Sequence, residues 1–95
     1  MKTIHQIDKN EVLVLAFPEY DVLDDESTKE KRMFRVNRAL LLGNLYKQKV
    51  KIFFRSKNEI EHTIETTVWG ITEKYVLLKG HLCIPINAIS TIEFH

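Results

Sequence analysis

A chain of 95 residues with 44% hydrophobic residues, 28% charged residues and a net charge of +1 allows one hydrophobic core and excludes wholesale disorder, so a single domain is predicted. The longest apolar run, Val12–Phe17, is far shorter than the roughly 18 residues of a membrane span, and Met1–Asp8 is too polar for a signal peptide. Together with the lone Cys83, which excludes an internal disulfide, these features predict a cytoplasmic protein with no membrane contact.

The charge is unevenly distributed along the chain. Residues 1–27 carry 2 Lys and 7 acidic residues (net −5), residues 28–58 carry 10 Lys or Arg and 1 Glu (net +9), and residues 59–95 carry 2 Lys and 5 Glu (net −3). The sequence therefore predicts an acidic amino-terminal arm over 1–27 and a basic helix with a β-rich body over 28–95, within one domain.

The acidic arm contains one predicted strand, Glu11–Phe17, which Pro18 ends, and an acidic loop follows. Because the arm and the next block have opposite charge, one hypothesis is that residues 1–26 fold over the basic surface and compete with an external polyanion. The alternative is that the strand simply extends the sheet.

A helix is predicted from Thr28 to about Leu42, because Ser27 and Glu30 have the spacing of a capping box. Gly43-Asn44 is predicted to end it with a left-handed cap, unless Leu45 extends it by a turn. The predicted apolar stripe consists of Met33, Phe34, Val36, Leu40 and Leu41. The opposite, basic face consists of Lys31, Arg32, Arg35 and Arg38.

Two runs after the helix, Tyr46–Arg55 and Glu59–Trp69, alternate between apolar and charged or polar residues and predict a β-hairpin. Any register that keeps the apolar faces together pairs odd positions with odd positions, and two examples show that carboxylates then lie opposite cations. In one, Arg55 opposes Glu59 and Lys49 opposes Glu65; in the other, Arg55 opposes Glu61 and Lys51 opposes Glu65. Either pairing would neutralise much of the strand's charge.

The last third of the chain predicts a second hairpin, Tyr75–Lys79 and Leu82–Ile86 around Gly80-His81, and a final strand, Ser90–Phe94. Pro85 cannot donate a ladder hydrogen bond, so its strand is predicted to be an edge or to bend there. Five short strands at this spacing favour a mainly β fold built as a small five-stranded barrel.

Three stretches resemble the Hfq family of bacterial Sm-like RNA chaperones. Leu42–Phe54 looks like the helix exit and first strand, and Tyr75–Lys79 looks like the third strand. Asn87–Thr91 is similar to the end of the second signature motif, Tyr-Lys-His-Ala-Ile-Ser-Thr. The resemblance covers residues 28–95 and implies an Sm-like, SH3-like barrel and an RNA-binding regulator.

In that family the Lys and His of the second signature hold RNA at the mouth of a hexameric ring. These positions are Ile86 and Asn87 here, so the cation is lost, although an Asn side chain can still hydrogen-bond a base. The basic patch at the helix exit is partly retained. The predicted nucleic-acid-binding residues are therefore Lys31, Arg32, Arg35, Arg38, Tyr46, Lys47, Lys49 and Asn87.

The alternative function is a protein-interaction module, either a homo-oligomer or a regulator of the transcription machinery similar to the Sm-like inhibitor of the terminator Rho. It would use the strand edges at Pro85 and Thr91–Phe94, since an unpaired strand accepts a strand from a neighbour. Catalysis, a metal site and a cofactor are not predicted. No nucleophile-base order or phosphate loop is present, and His81 with Cys83 supplies two ligands where a metal site needs more.

Overall fold

A computed structural model describes residues 4–95. The chain is mainly β, with strands in two small sheets and one long helix. In chain order the elements are β1 (Ile4–Gln6), α1 (Lys9–Val12), α2 (Glu26–Tyr46), β2 (Val50–Arg55), β3 (Glu61–Thr66), β4 (Val68–Ile71), β5 (Tyr75–Leu78), β6 (Leu82–Pro85), a 3-10 helix (Ile86–Ala88) and β7 (Ile89–Phe94). None of the helices in this part of the chain combines the length and hydrophobicity needed to cross a bilayer.

The strands form a four-stranded sheet of order β1-β3-β2-β7 and a three-stranded sheet of order β4-β5-β6. β1 pairs with β3 in parallel, and the other pairs are antiparallel. The predicted strand Glu59–Trp69 is divided at Thr67 into β3 and β4, which belong to different sheets. Among residues 4–95, β6 and β7 are outer strands with no ladder between them. The mainly β prediction is confirmed, and these strands form two open sheets and no closed barrel.

The arm differs from its prediction, since the strand predicted at Glu11–Phe17 is wrong. That segment begins inside α1, which a reciprocal capping box starts: Asp8 Oδ1 accepts from the Glu11 backbone N–H at 3.0 Å, and Glu11 Oε1 accepts from the Asp8 N–H at 3.4 Å. The helical turn lets Val12 enter the core, together with Ile7 just before it. The strand of the arm is instead β1.

The long helix begins and ends outside its predicted limits. Asp25, rather than Ser27, is the N-cap, and its carboxylate accepts from the Thr28 N–H at 2.8 Å. The left-handed cap is Lys47, with φ of 54°, rather than Gly43-Asn44. Gly43 is buried inside the helix, where an added Cβ would lie 2.3 Å from the carbonyl oxygen of Val68. The glycine therefore serves close helix–sheet packing and does not end the helix.

The face of α2 that meets the sheets is also different from the predicted stripe. Its buried residues follow at intervals of three or four. Phe34 and Leu41, predicted to be buried, are 70% and 57% exposed. Arg32, predicted on the solvent face, is buried with 5% exposure. The buried residues of the helix are Arg32, Val36, Ala39 and Gly43.

The first hairpin follows the second of the two predicted registers. Arg55 pairs with Glu61 and Lys51 with Glu65 across β2 and β3. On the opposite face of β2, its alternate apolar side chains are fully buried: Val50, Ile52 and Phe54. The alternation in the sequence thus predicted this strand correctly.

The second hairpin is confirmed as well. Three residues, Lys79–His81, join the paired Leu78 and Leu82, and Gly80 and His81 have positive φ values of 91° and 64°, the left-handed backbone that tight hairpin loops use. Pro85 ends β6, which is the outer strand of its sheet, as the absence of a proline N–H predicts.

Candidate nucleic-acid interface

Arg32 connects the acidic loop to the helix and to β7. Its Nη1 and Nη2 donate to the two carboxylate oxygens of Asp21 at 2.8 and 2.6 Å, and Nη1 also donates to the Ile89 carbonyl at 3.1 Å. Burial raises the pKa of Asp21, but the hydrogen bonds from Arg32 and the Leu23 N–H, with the charges of Arg32 and Lys29, outweigh it, so the pKa lies below its usual value. Arg32, a predicted nucleic-acid-binding residue, therefore binds the acidic loop and β7 within the protein.

Three of the four predicted helix cations gather around a depression of about 220 Å³, here called the helix-face depression. Arg35 Nη1 donates to the Ile92 carbonyl at 2.9 Å. The Arg38 guanidinium lies 4.8 Å from the centre of the Phe94 ring, a cation–π distance. Both arginines stay exposed while β7 fixes their positions. The depression is lined by Lys31, Phe34, Arg35, Arg38 and Phe94.

The helix-face depression keeps its positive charge. Within the described part of the chain, none of its three cations forms an ion pair, and no carboxylate lines it. In the hairpin, by contrast, Lys51 Nζ lies 3.9 Å from Glu65 and Arg55 Nε lies 3.3 Å from Glu61. These pairs neutralise Lys51 and Arg55 as the register with Arg55 opposite Glu61 predicts.

The two phenylalanines of the depression are not among the predicted site residues. The sequence pattern predicts Phe34 on the buried face of the helix and Phe94 in the last strand. A signal for Phe34 was present, because it follows Lys31 by three positions and precedes Arg38 by four, which puts all three on one helix face. No local signal connects Phe94 to the helix, since the contact depends on how β7 packs.

The helix-exit residues lie elsewhere on the surface. Tyr46 is 70% exposed at the end of α2, and Lys47 and Lys49 are exposed between the helix and β2. The Lys47 carbonyl accepts from Thr67 Oγ1 at 3.5 Å, which places this end of the helix beside the junction of β3 and β4.

Asn87 does not join the other predicted residues. Its Nδ2 donates to the carbonyls of Glu19 and Pro18 at 3.2 and 3.5 Å, and its own carbonyl accepts from the Val22 N–H at 2.9 Å. The acidic arm therefore takes the amide that was predicted to contact a base. Asn87 and Arg32 both line a second cavity, a groove of about 790 Å³ between the arm and the second sheet.

The two predicted strand edges differ in how open they are. On β7, Arg32 and Arg35 of the helix bind the carbonyls of Ile89 and Ile92, so part of that edge already has partners. On β6, Pro85 and Cys83 border the groove, beside the exposed Tyr75 of the neighbouring strand. The edge at Pro85 is thus the more accessible of the two.

Residues 4–95 contain no group of three or more His, Cys, Asp or Glu side chains placed to hold a metal ion. In comparisons with known proteins, no family model matches the chain, and no curated protein or solved structure matches it either. The resemblance to the Hfq family accordingly remains a prediction from the three short stretches that carry it.

Proposed function

We propose that this chain is a non-enzymatic RNA-binding regulator and that the helix-face depression is its main contact with the phosphate backbone. One observation carries the proposal: within the described residues 4–95, three cations without a carboxylate partner surround an exposed phenylalanine on one face of α2. Exposed aromatic rings among unpaired cations are the combination that single-stranded nucleic acids bind, because the cations attract phosphates and the ring stacks on a base.

The geometry of the depression favours an anionic phosphate next to a planar base. The guanidinium groups of Arg35 and Arg38 are anchored by the Ile92 carbonyl and the Phe94 ring, so less side-chain freedom is lost when they bind a phosphate. Lys31 adds a more mobile ammonium, and the Phe34 ring lies between it and Arg38 on the helix. Water-exposed phenylalanine contributes little to folding and is available to a base.

The proposed fold family is Sm-like. In its support, the structure has a helix, a strand pair whose second member is interrupted at Thr67, a tight hairpin, one 3-10 turn and a last strand, which is the element order that the resemblance implies. The proposed RNA contact differs from the family's signature, since Asn87 is bonded to the arm. In this proposal the helix face provides the affinity for RNA instead.

The test is binding of poly-U and poly-A between about 50 and 200 mM salt. Changing Lys31, Arg35 and Arg38 together to Ala should abolish most binding and make the log–log salt slope shallower by about 2, because each phosphate contact on a single strand contributes about 0.7. A second variant, Lys31→Glu with Arg38→Glu, leaves the bond from Arg35 to Ile92 intact and should also lose binding.

The matched control removes the same number of charges elsewhere, by Lys51→Ala, Lys57→Ala and Lys74→Ala, and should retain most of the affinity. Equal losses in the control and in the helix-face variants would show non-specific attraction to positive charge. Absence of detectable binding of the unmodified chain to either polymer at low salt would remove the RNA proposal.

A second candidate function, a protein-interaction module, has its own support in the second sheet. Tyr75 and Leu77 are 41% and 38% exposed on the outer side of β5, and the open edge of β6 borders the 790 Å³ groove. In this mode a strand from a neighbouring chain pairs with the β6 edge, and the same partner packs on the exposed face of Tyr75 and Leu77. The molecular mass in solution should then rise with concentration, and Leu77→Lys should return it to the monomer; a mass that stays monomeric would contradict self-association.

A further inference from the structure

Trp69 and His81 form an exposed aromatic pair outside the helix-face depression. Their ring centroids lie 6.1 Å apart with an interplanar angle of 88°, an edge-to-face contact. Trp69 is 49% exposed, and His81 is exposed at the turn of the second hairpin. One ring thus supports the other while each keeps surface in contact with water.

Local backbone features put both rings at the surface. The pairing of β4 with β5 shifts register between Val68 and Gly70, so Trp69 lies at an irregularity of the ladder, while Val68 before it is fully buried. His81 has a left-handed φ of 64°, a conformation that is uncommon for a residue other than glycine. Because Val68 fills the core position of this strand, the indole of Trp69 is not needed there.

Two exposed lysines, Lys47 and Lys79, are connected to each other through Thr67. The Thr67 carbonyl accepts from the Lys79 N–H at 3.0 Å, and the Thr67 hydroxyl donates to the Lys47 carbonyl at 3.5 Å. Trp69 follows Thr67 by two residues, and His81 follows Lys79 by two residues in the hairpin turn. These connections place the aromatic pair in the neighbourhood of the helix exit at Lys47.

We infer that Trp69 and His81 are a base-stacking site for single-stranded RNA, with Lys47 and Lys79 contacting the phosphates on either side. The inference rests on the proposed RNA-binding function and specifies the ligand class. An aromatic ring reaches the face of a base only where that base is unpaired, because in a duplex both faces are covered by neighbouring bases. The proposed ligand is thus an unpaired segment, contacted at both the helix face and the helix exit.

Trp69 is the single tryptophan of the chain, so fluorescence excited at a wavelength that tyrosine does not absorb reports on this site alone. Titration with oligouridine should quench the fluorescence, and oligouridine annealed to oligoadenine should quench it much less. In fluorescence anisotropy with labelled oligouridine, Trp69→Ala should weaken binding by about tenfold, the usual scale of one stacked base, and Trp69→Phe should retain part of the affinity.

Two further variants separate stacking from folding. His81→Gly removes the ring while favouring the left-handed turn, and it should weaken oligouridine binding several-fold without loss of the folded state. Tyr75→Ala, the matched control, removes another half-exposed aromatic from the same sheet and should leave binding unchanged.

Oligouridine binding without a change in fluorescence, together with full affinity of Trp69→Ala and His81→Gly, would overturn the stacking site and leave the RNA proposal standing. Equal affinity for single-stranded and annealed RNA would overturn the assigned ligand class. Absence of binding to any of these RNAs would overturn the RNA proposal and the stacking site together.

Discussion

The helix face and the first hairpin carry most of the cations in the basic middle of the chain, but these cations have different partners in the two regions. Across the hairpin, Lys51 and Arg55 lie opposite Glu65 and Glu61. On the helix, Arg35 and Arg38 are held by a carbonyl and an aromatic ring, which fix their positions without neutralising them. The difference shows that a run of cations in a sequence does not measure the charge a ligand meets.

Arg32 marks the boundary between these two kinds of cation. It belongs to the basic helix in the sequence, but its buried guanidinium is neutralised by the partly buried carboxylate of Asp21. The acidic arm therefore does contact the basic block, as one of the two sequence hypotheses required, and it does so at this buried position. The neighbouring helix cations Lys31, Arg35 and Arg38 remain exposed to solvent.

The largest effect is expected from Arg32→Ala, which leaves the Asp21 carboxylate without its cation. Breaking a fully buried ion pair from one side costs about 3 kcal/mol or more, and because the Asp21 carboxylate is partly exposed, the free energy of unfolding measured in urea should fall by about 2 kcal/mol. Lys31→Ala, one residue earlier and exposed, should change it by less than about 0.5 kcal/mol. Equal small effects in the two variants would show that the pair of Arg32 and Asp21 contributes no more to stability than an exposed helix cation does.

A second large effect is expected from Gly43→Ala, because the position of the helix on the sheet depends on this glycine. Alanine favours a helix over glycine by about 1 kcal/mol, but its Cβ would meet the Val68 carbonyl at 2.3 Å. The overpacking should outweigh the propensity and give a net loss of about 1–2 kcal/mol in urea unfolding. Asn44→Ala, at the exposed neighbouring position, should be neutral or stabilising; stabilisation by Gly43→Ala would show that the helix sits further from β4.

The parts of the fold that could be predicted from the sequence are those with a local signal. Strand β2 has strict alternation about Val50, Ile52 and Phe54, and the Gly80-His81 turn lies between two apolar runs. The apolar faces of the first hairpin limited its register to pairings of odd positions with odd positions, of which Arg55 with Glu61 is the observed one. In each case the information lies within a few residues of the element concerned.

The other elements differ from their predictions for two reasons. At Glu11–Phe17 two local signals conflict, because the residues favour a strand while the capping box of Asp8 and Glu11 begins a helical turn. At α2 and Arg32, distant contacts decide the structure. Helix α2 carries more than one apolar stripe, and periodicity alone does not say which one meets the sheets, so Phe34 was placed in the core. The burial of Arg32 depends on Asp21, which lies in an irregular loop without periodicity.

The contact between Asp21 and Arg32 should also give the protein a defined response to acid. The pKa of Asp21 is lowered in the folded state from an ordinary value of 3.8. Its contribution is therefore complete above that value and is lost as the pH falls below 3.8 through the folded-state pKa. Urea unfolding between about pH 5 and pH 2 should show a steeper loss of stability for the unmodified chain than for Asp21→Asn. Parallel acid profiles would mean that the carboxylate is not held by Arg32 in solution.

The smallest effect is expected in the hairpin, and it defines the other side of the comparison. Arg55 and Glu61 are partly exposed, and such cross-strand pairs contribute about 0.2–1 kcal/mol. Arg55→Ala should lower the free energy of unfolding by no more than this. It should leave RNA affinity almost unchanged, because Glu61 already neutralises the charge of Arg55. Arg38→Ala removes one arginine as well, yet it should weaken RNA binding several-fold with a similarly small change in stability. Equal RNA affinities of these two variants would show that both regions present the same charge to a ligand, whatever their contacts within the fold.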